Sequence, residues 1–172
     1  DAISEADLYA IGAAAKGQKL LTGGSGIALG LPANFGATPA TPPWSGITGP
    51  GVVLSGSCSR ATRGQVEAYK AQAPSREITA GAVMAGETNP EELADWVMAQ
   101  DVAPLVYSSA DPAIVAKAQT DFGRDVIAEK IEALFAALAA NLAQRGIKRM
   151  VVAGGETSGA VVTGLRAQTL LI

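Results

Sequence analysis

Short apolar runs edged by glycine or proline alternate along this chain with longer stretches in which apolar residues recur every third or fourth position. The short runs are Lys19 to Thr22, Gly51 to Ser55, Ile78 to Val83 (interrupted by Gly81), Pro104 to Ser108, Met150 to Ala153 and Gln168 to Ile172. Their brevity and β-branched content predict strands, several of them buried on both faces. The longer stretches predict helices. Ser4-x-x-Asp7 has the form of a capping box and opens a helix reaching about Ala15, with Leu8 and Ile11 on one face. A further helix runs from about Ala61 to Ala71. Asn89-Pro90-Glu91-Glu92 supplies a cap, a first-turn proline and acids facing the helix dipole, ahead of the buried stripe Leu93, Trp96 and Val97. Asp111-Pro112 opens the next helix. From Phe122 to Gln144, Ile127, Ile131, Leu134, Leu138 and Leu142 share one face, and Gly146 ends the pattern. This alternation predicts an α/β fold: a mostly parallel sheet with helices on both faces and glycine-rich strand-to-helix loops at the edge where ligands bind.

Pro39, Pro42, Pro43 and Pro50 interrupt any regular pattern, so the stretch from Pro32 to Pro50 reads as a long connection that contains a domain boundary. Asp1 is not an initiator, and Leu170-Leu171-Ile172 leaves a bare apolar edge, so the chain is expected to be a fragment.

The stretch with most chemistry is Met150 to Leu165. A buried strand is followed by Gly154-Gly155, then Glu156, Thr157 and Ser158, with Thr157 or Ser158 expected to cap a helix from Gly159. Free N–H groups and the helix dipole make such a start a site for anions, phosphate above all. It is not a P-loop: Gly154 and Gly159 have the glycine spacing, but Ala160-Val161 stand where Lys and Ser/Thr belong. On the residues alone, phosphate binding and an ordinary tight turn both remain open. Gly56-Ser57-Cys58-Ser59 forms a similar loop with Arg60 and Arg63 nearby. Gly23-Gly24-Ser25-Gly26 forms another, but Leu29 occupies the place of a third dinucleotide glycine. In a parallel sheet the loops at Gly56 and Gly154 face one crevice.

Composition narrows the chemistry. Of 172 residues 48% are hydrophobic and 17% charged, with net charge −3, so the chain is core-rich. Lys and Arg nowhere cluster, and neither nucleic acid nor a membrane is an expected partner. The chain has no histidine and one cysteine, Cys58, which removes imidazole-based catalysis, histidine metal ligands and internal disulfides, and suits a reducing cytoplasm. Cys58 reads as a small packing residue rather than a nucleophile. Glu156 is the carboxylate inside a glycine loop: either a ligand for Mg²⁺ beside phosphate oxygens or a solvated acid at its own helix start. Trp44, Trp96, Tyr69 and Tyr107 are either base-stacking platforms or core anchors.

Leu21-Thr22-Gly23-Gly24-Ser25-Gly26-Ile27-Ala28, Ser55-Gly56-Ser57-Cys58-Ser59 with Ala61-Thr62 and Gln65, and Gly154-Gly155-Glu156-Thr157-Ser158-Gly159 resemble, in that order, the motifs of the four-carbon acid sugar kinase family. The run Gly26 to Phe35 is most similar to its 3-oxo-tetronate branch. D-threonate and D-erythronate kinases of the same family, and a non-catalytic nucleotide- or sugar-phosphate-binding module, are the alternatives. The resemblance implies ATP-dependent phosphorylation of the terminal hydroxyl of a four-carbon sugar acid, with ATP and Mg²⁺ as cofactors and a homo-oligomeric state left open. It also implies that residues 1–36 are the tail of an amino-terminal acid-sugar-binding domain, 37–50 a linker and 51–172 a carboxy-terminal nucleotide-binding domain that is incomplete at its end. By the same carry-over Ser57, Gly154, Gly155, Glu156, Thr157 and Ser158 bind nucleotide. The family's amino-terminal acidic motif and its closing Lys-Ser-Gly-Asn-Phe-Gly-like segment have no counterpart here, so the catalytic residues are left unassigned.

Overall fold

The computed structural model describes residues 2–38, 40, 43, 45–108 and 112–170. Asp1, Pro39, Pro42, Trp44, Asp111, Leu171 and Ile172, named above, lie outside the described residues. The chain divides into two units, Asp1–Ser45 and Gly46–Ile172.

In the first unit α1 spans Glu5–Ala14 and begins with the expected capping box. The Ser4 hydroxyl accepts the Asp7 N–H, and the Asp7 carboxylate accepts the Ser4 N–H at 2.9 Å. The Ser4 hydroxyl, with the N–H groups of Ile3 and Ser4, holds the Asp7 carboxyl below its usual range. Two short 3₁₀ turns, Ser25–Gly30 and Pro32–Phe35, follow, the second inside a stretch expected to be irregular. Gly12 and Gly30 meet backbone to backbone: a Cβ on Gly12 would lie 2.4 Å from the Gly30 Cα. The Asn34 side chain donates to the Gly12 carbonyl at 2.8 Å across the same contact. The strand expected at Lys19 to Thr22 does not form, and Leu20 is exposed. A three- or four-residue run needs a neighbouring ladder, and none exists among the described residues of this unit.

The second unit is built on β1 (Gly51–Ser55), β2 (Ser75–Glu77), β3 (Leu105–Tyr107) and β4 (Arg149–Ala153). All pairings are parallel, in the order β2-β3-β1-β4, with Leu54 beside Val106 on one side and Val152 on the other. The helices are α2 (Arg60–Lys70), α3 (Ala80–Ala85), α4 (Pro90–Met98), α5 (Pro112–Phe122), α6 (Arg124–Gln144) and α7 (Gly155–Gly164). The predicted α/β class and parallel sheet are therefore what the chain forms.

Ile78 to Val83 is not a strand. The strand lies just before it, and Thr79 caps α3 by accepting the Ala82 N–H at 3.2 Å. β2 is an edge strand whose Arg76 and Glu77 are exposed, so burial never required it to be apolar. Ile78 is buried because its N–H reaches the Tyr107 carbonyl at 2.7 Å and carries it past the strand end. The described part of the terminal run, Gln168 to Leu170, likewise has no regular structure.

Val52, Leu54 and Val106 of one sheet face pack against Leu93, Ala94 and Val97 of α4, Leu134, Phe135, Leu138 and Leu142 of α6, and Val161 of α7. The predicted face of α6 is the one buried, and each large side chain there contributes roughly 1.5–3 kcal/mol. The helix starts after Gly123, whose φ of 86° separates it from α5. The other sheet face places Val53, Leu105 and Tyr107 against Val66 and Tyr69 of α2. α7 lies so close to α6 that a Cβ on Gly164 would be 2.3 Å from the Ala136 carbonyl oxygen. No helix among the described residues is long and apolar enough to cross a membrane.

Candidate functional site

Parallel strands bring their carboxyl ends to one edge, and the loops after β1 and β4 meet there. The Gly56 and Ser57 N–H groups both donate to the Ala153 carbonyl, at 3.0 and 3.2 Å. Thr157, 5% exposed, sits against both turns. A Cβ on Gly56 would lie 2.1 Å from its hydroxyl oxygen, so only glycine admits it. Gly154 has φ 127°, a backbone conformation that side chains disfavour, and a Cβ there would be 3.0 Å from the same oxygen and 3.2 Å from the Ser57 nitrogen.

The helix after β4 begins at Gly155, four residues earlier than the sequence led us to expect, so neither Thr157 nor Ser158 caps it. Both lie in its first turn. Ser158 turns its N–H and its hydroxyl back onto the Gly154 carbonyl, at 2.9 and 2.7 Å. Among the described residues no side chain caps α7. Its first N–H groups, of Gly155, Glu156 and Thr157, precede any carbonyl their own helix can offer. Beside them is space: among the described residues nothing lies within 4 Å of a Cβ built on Gly155.

A cavity of about 720 Å³ opens at this edge. Ser57, Gly154, Gly155, Glu156 and Thr157 line it, whereas Ser158 does not. The Ser57 hydroxyl accepts the Ser59 N–H at 3.3 Å and keeps its own proton to donate. Cys58 is half-buried on the wall, with its sulfur 4.0 Å from the Gly56 carbonyl oxygen. Glu156 is exposed and faces the cavity, and no group of three or more acidic, cysteine or histidine side chains is gathered as a metal cage among the described residues.

The cavity also recruits residues that the sequence did not single out. Glu77 ends β2 and Thr79 follows it, Ser108 follows β3, and Arg124 stands at the start of α6. Ser108 was recoverable as the residue ending a predicted strand. Glu77 and Thr79 were hidden by the misplacement of β2, and Arg124 by a helix start read two residues early. Arg60 and Arg63 are not on the wall, and neither are the three described candidates for base stacking. The Tyr69 hydroxyl donates to the Ala103 carbonyl at 2.9 Å, the Lys70 ammonium lies 5.3 Å from the Tyr107 ring centre, and Arg76 lies over Trp96 at 5.1 Å.

Residues 52–172 match the family described as the nucleotide-binding C-terminal domain. The chain belongs to that family. It is 40% identical over 173 residues to a 3-oxo-tetronate kinase of Salmonella typhimurium, covering 96% of this chain and 41% of the relative. A 3-oxo-tetronate kinase of Cupriavidus necator is 41% identical over 179 residues, covering 100% of this chain and 41% of the relative. Among solved structures, a Salmonella typhimurium LT2 protein described as a candidate tRNA synthase aligns with TM-score 0.77 and 40% identity, over 96% of this chain and 40% of its own. A Haemophilus influenzae protein aligns with TM-score 0.75 and 37% identity, over 96% of this chain and 41% of its own. The likeness seen in three motifs thus runs through residues 52–172 and the residues before them. The chain spans about two fifths of the length of the curated relatives it matches.

Proposed function

We propose that this nucleotide-binding domain holds the ATP of a four-carbon acid sugar kinase, and that the full-length protein phosphorylates the terminal hydroxyl of an acid of the 3-oxo-tetronate class. One observation carries the reading: the uncapped start of α7 and the Ser57 hydroxyl, from loops a hundred residues apart in sequence, line one cavity at the strand ends. Phosphoryl transfer depends on positioning and charge stabilisation more than on a side-chain nucleophile, which suits a chain without histidine. The N–H groups of Gly155, Glu156 and Thr157 take phosphate oxygens, and the Ser57 hydroxyl donates to another.

The cavity wall carries Glu77, Asp125, Glu132 and Glu156 against one guanidinium, Arg124. That balance repels a bare polyphosphate, so Glu156 and the phosphate oxygens together are the fitting donor set for Mg²⁺. When bound, the ion would offset phosphate charge at the transferring group. Residues 1–36 are assigned to the end of the acid-sugar-binding domain, 37–50 to a linker, and the setting to the cytoplasm, where ATP is the available donor. Nucleotide binding is the property assigned to the 172 residues themselves, and turnover to the longer kinase.

Titration calorimetry on the folded protein tests this. Gly155→Val fills the open space beside the free N–H groups and should abolish ATP binding while melting changes little. Glu156→Gln should diminish the gain in ATP affinity from Mg²⁺ more than metal-free affinity. Unchanged ATP binding in a folded Gly155→Val protein sinks the phosphate assignment. Equal losses with and without Mg²⁺ remove Glu156 as the ligand. With the full-length protein, ADP release that depends on a four-carbon acid separates a kinase from a module that only binds.

A further inference from the structure

The phosphate assignment uses one side of the cavity and leaves the other, of opposite character, without a role. On that side runs an aliphatic strip, Ile78 after β2, Ile114 and Ala118 of α5, and Ile127, Ala128 and Ile131 of α6, with Arg124, Asp125 and Glu132 of α6 also on the wall. Ile114 is left 61% exposed there. A four-carbon sugar acid, bearing an oxygen on nearly every carbon, gains little from such a wall, and a polyphosphate gains nothing. The part of a nucleotide that gains is the base, whose faces are apolar.

Position in the sheet agrees. The phosphate loops follow β1 and β4, whereas Ile78 follows β2, two strands from β1 and three from β4. At the usual strand spacing that is on the order of 10–15 Å, a separation that an extended nucleoside triphosphate bridges. Glu77 ends β2 and lines the same cavity. An ionised carboxylate only accepts hydrogen bonds and repels phosphate, so that end of the cavity favours the uncharged, hydroxyl-bearing end of a nucleotide. None of the described aromatic side chains lies on the wall, so contact with the base is aliphatic.

Resting on the phosphate assignment, we propose that the nucleoside of the bound nucleotide lies over the ends of β2 and β3. Its base is held against Ile114, Ala118, Ala128 and Ile131, and its sugar hydroxyls are within the reach of Glu77. The cavity then selects a nucleoside triphosphate over other polyphosphates by burying the base.

The test compares Mg·ATP with Mg·tripolyphosphate, which keeps the phosphates and lacks the nucleoside. The unaltered protein should bind ATP the more tightly. Ala128→Glu, at a half-buried wall position, should weaken ATP by at least about tenfold and leave tripolyphosphate within about twofold. Ile114→Ser, at an exposed position where folding is spared, should weaken ATP about threefold with tripolyphosphate unchanged. If Ala128→Glu fails to fold, Ile114→Ser decides. ATP affinity unchanged in the folded variants, or equal binding of both ligands by the unaltered protein, overturns the nucleoside assignment and leaves the phosphate assignment standing. Gly155→Val should lose both ligands. Tripolyphosphate binding that survives that change, or an unaltered protein that binds neither ligand, overturns the phosphate assignment and the nucleoside assignment with it.

Discussion

The junctions β1-to-α2 and β4-to-α7 start from the same materials, a short parallel strand, small residues and a helix, and end differently. At the first, Ser59 caps its own helix, accepting the Thr62 N–H at 3.1 Å, and the Ser57 hydroxyl accepts the Ser59 N–H. That helix end is satisfied from within. At the second, Gly154 stands at the cap position with nothing to offer, and Ser158 bonds backward to it. That end is satisfied only by something brought to it. In the proposed reading the start left without a cap is the binding site, and its closed neighbour is the wall against which the ligand would be placed.

The widest effect is expected where the junctions touch. Gly56→Ala puts a Cβ 2.1 Å from the Thr157 hydroxyl oxygen, so one loop must shift, at a cost of about 1–3 kcal/mol in stability and with loss of ATP binding. Adding Thr157→Ala should restore part of both, because the clash is with that side chain. Gly154→Ala should cost about the same through its φ of 127°, yet stay unrescued by Thr157→Ala, because that strain is in the backbone. Double-mutant cycles read by chemical denaturation compare the two. Equal rescue at both positions would show that sterics, not backbone conformation, fixes Gly154.

Next in size is Ser57→Ala. Among the described residues its hydroxyl has one partner, the exposed Ser59 N–H, which water can satisfy, so stability should hardly change. ATP affinity should fall by about 1.5–3 kcal/mol, the worth of a hydrogen bond to a charged group. An unchanged affinity would reduce Ser57 to its backbone, whose N–H already belongs to the Ala153 carbonyl.

The contrast between the junctions was half legible in the sequence. Apolar runs with β-branched residues located β1 and β3, which lie inside the parallel sheet and are mostly apolar because both faces are covered, and also β4, an edge strand that stays apolar in sequence although Val151 is 62% exposed. They missed β2, whose Ser75, Arg76 and Glu77 lie at an edge where water tolerates any residue. The loops stood out as breaks between strand and helix patterns, and Gly154 to Thr157 line the cavity as one group. What could not be read was which serine caps. Ser59 stands four residues past β1 and Ser158 five past β4. The outcome turns on where the helix begins, which is fixed by the β4–β1 ladder and the packing of α7 on α6 at Gly164 rather than by local preference. The apolar side of the cavity comes from α5, α6 and the end of β2, segments whose pattern spoke only of core.

The smallest effect sharpens the comparison most. Ser59→Ala removes the cap of α2 and nothing from the cavity wall, which Ser59 does not line. The Thr62 N–H then turns to water, and the loss of a serine cap typically costs about 0.5–2 kcal/mol. α2 holds Val66 and Tyr69 against Leu105 and Tyr107, so the cost should appear as a lower midpoint with unchanged cooperativity rather than as local fraying alone. ATP affinity should stay within about twofold, because the N–H groups assigned to phosphate belong to α7. A drop in affinity like that of Ser57→Ala, in a folded protein, would mean that the start of α2 also meets the ligand. The two junctions would then be one anion site with two arms, and the cap on α2 a feature that nucleotide binding displaces.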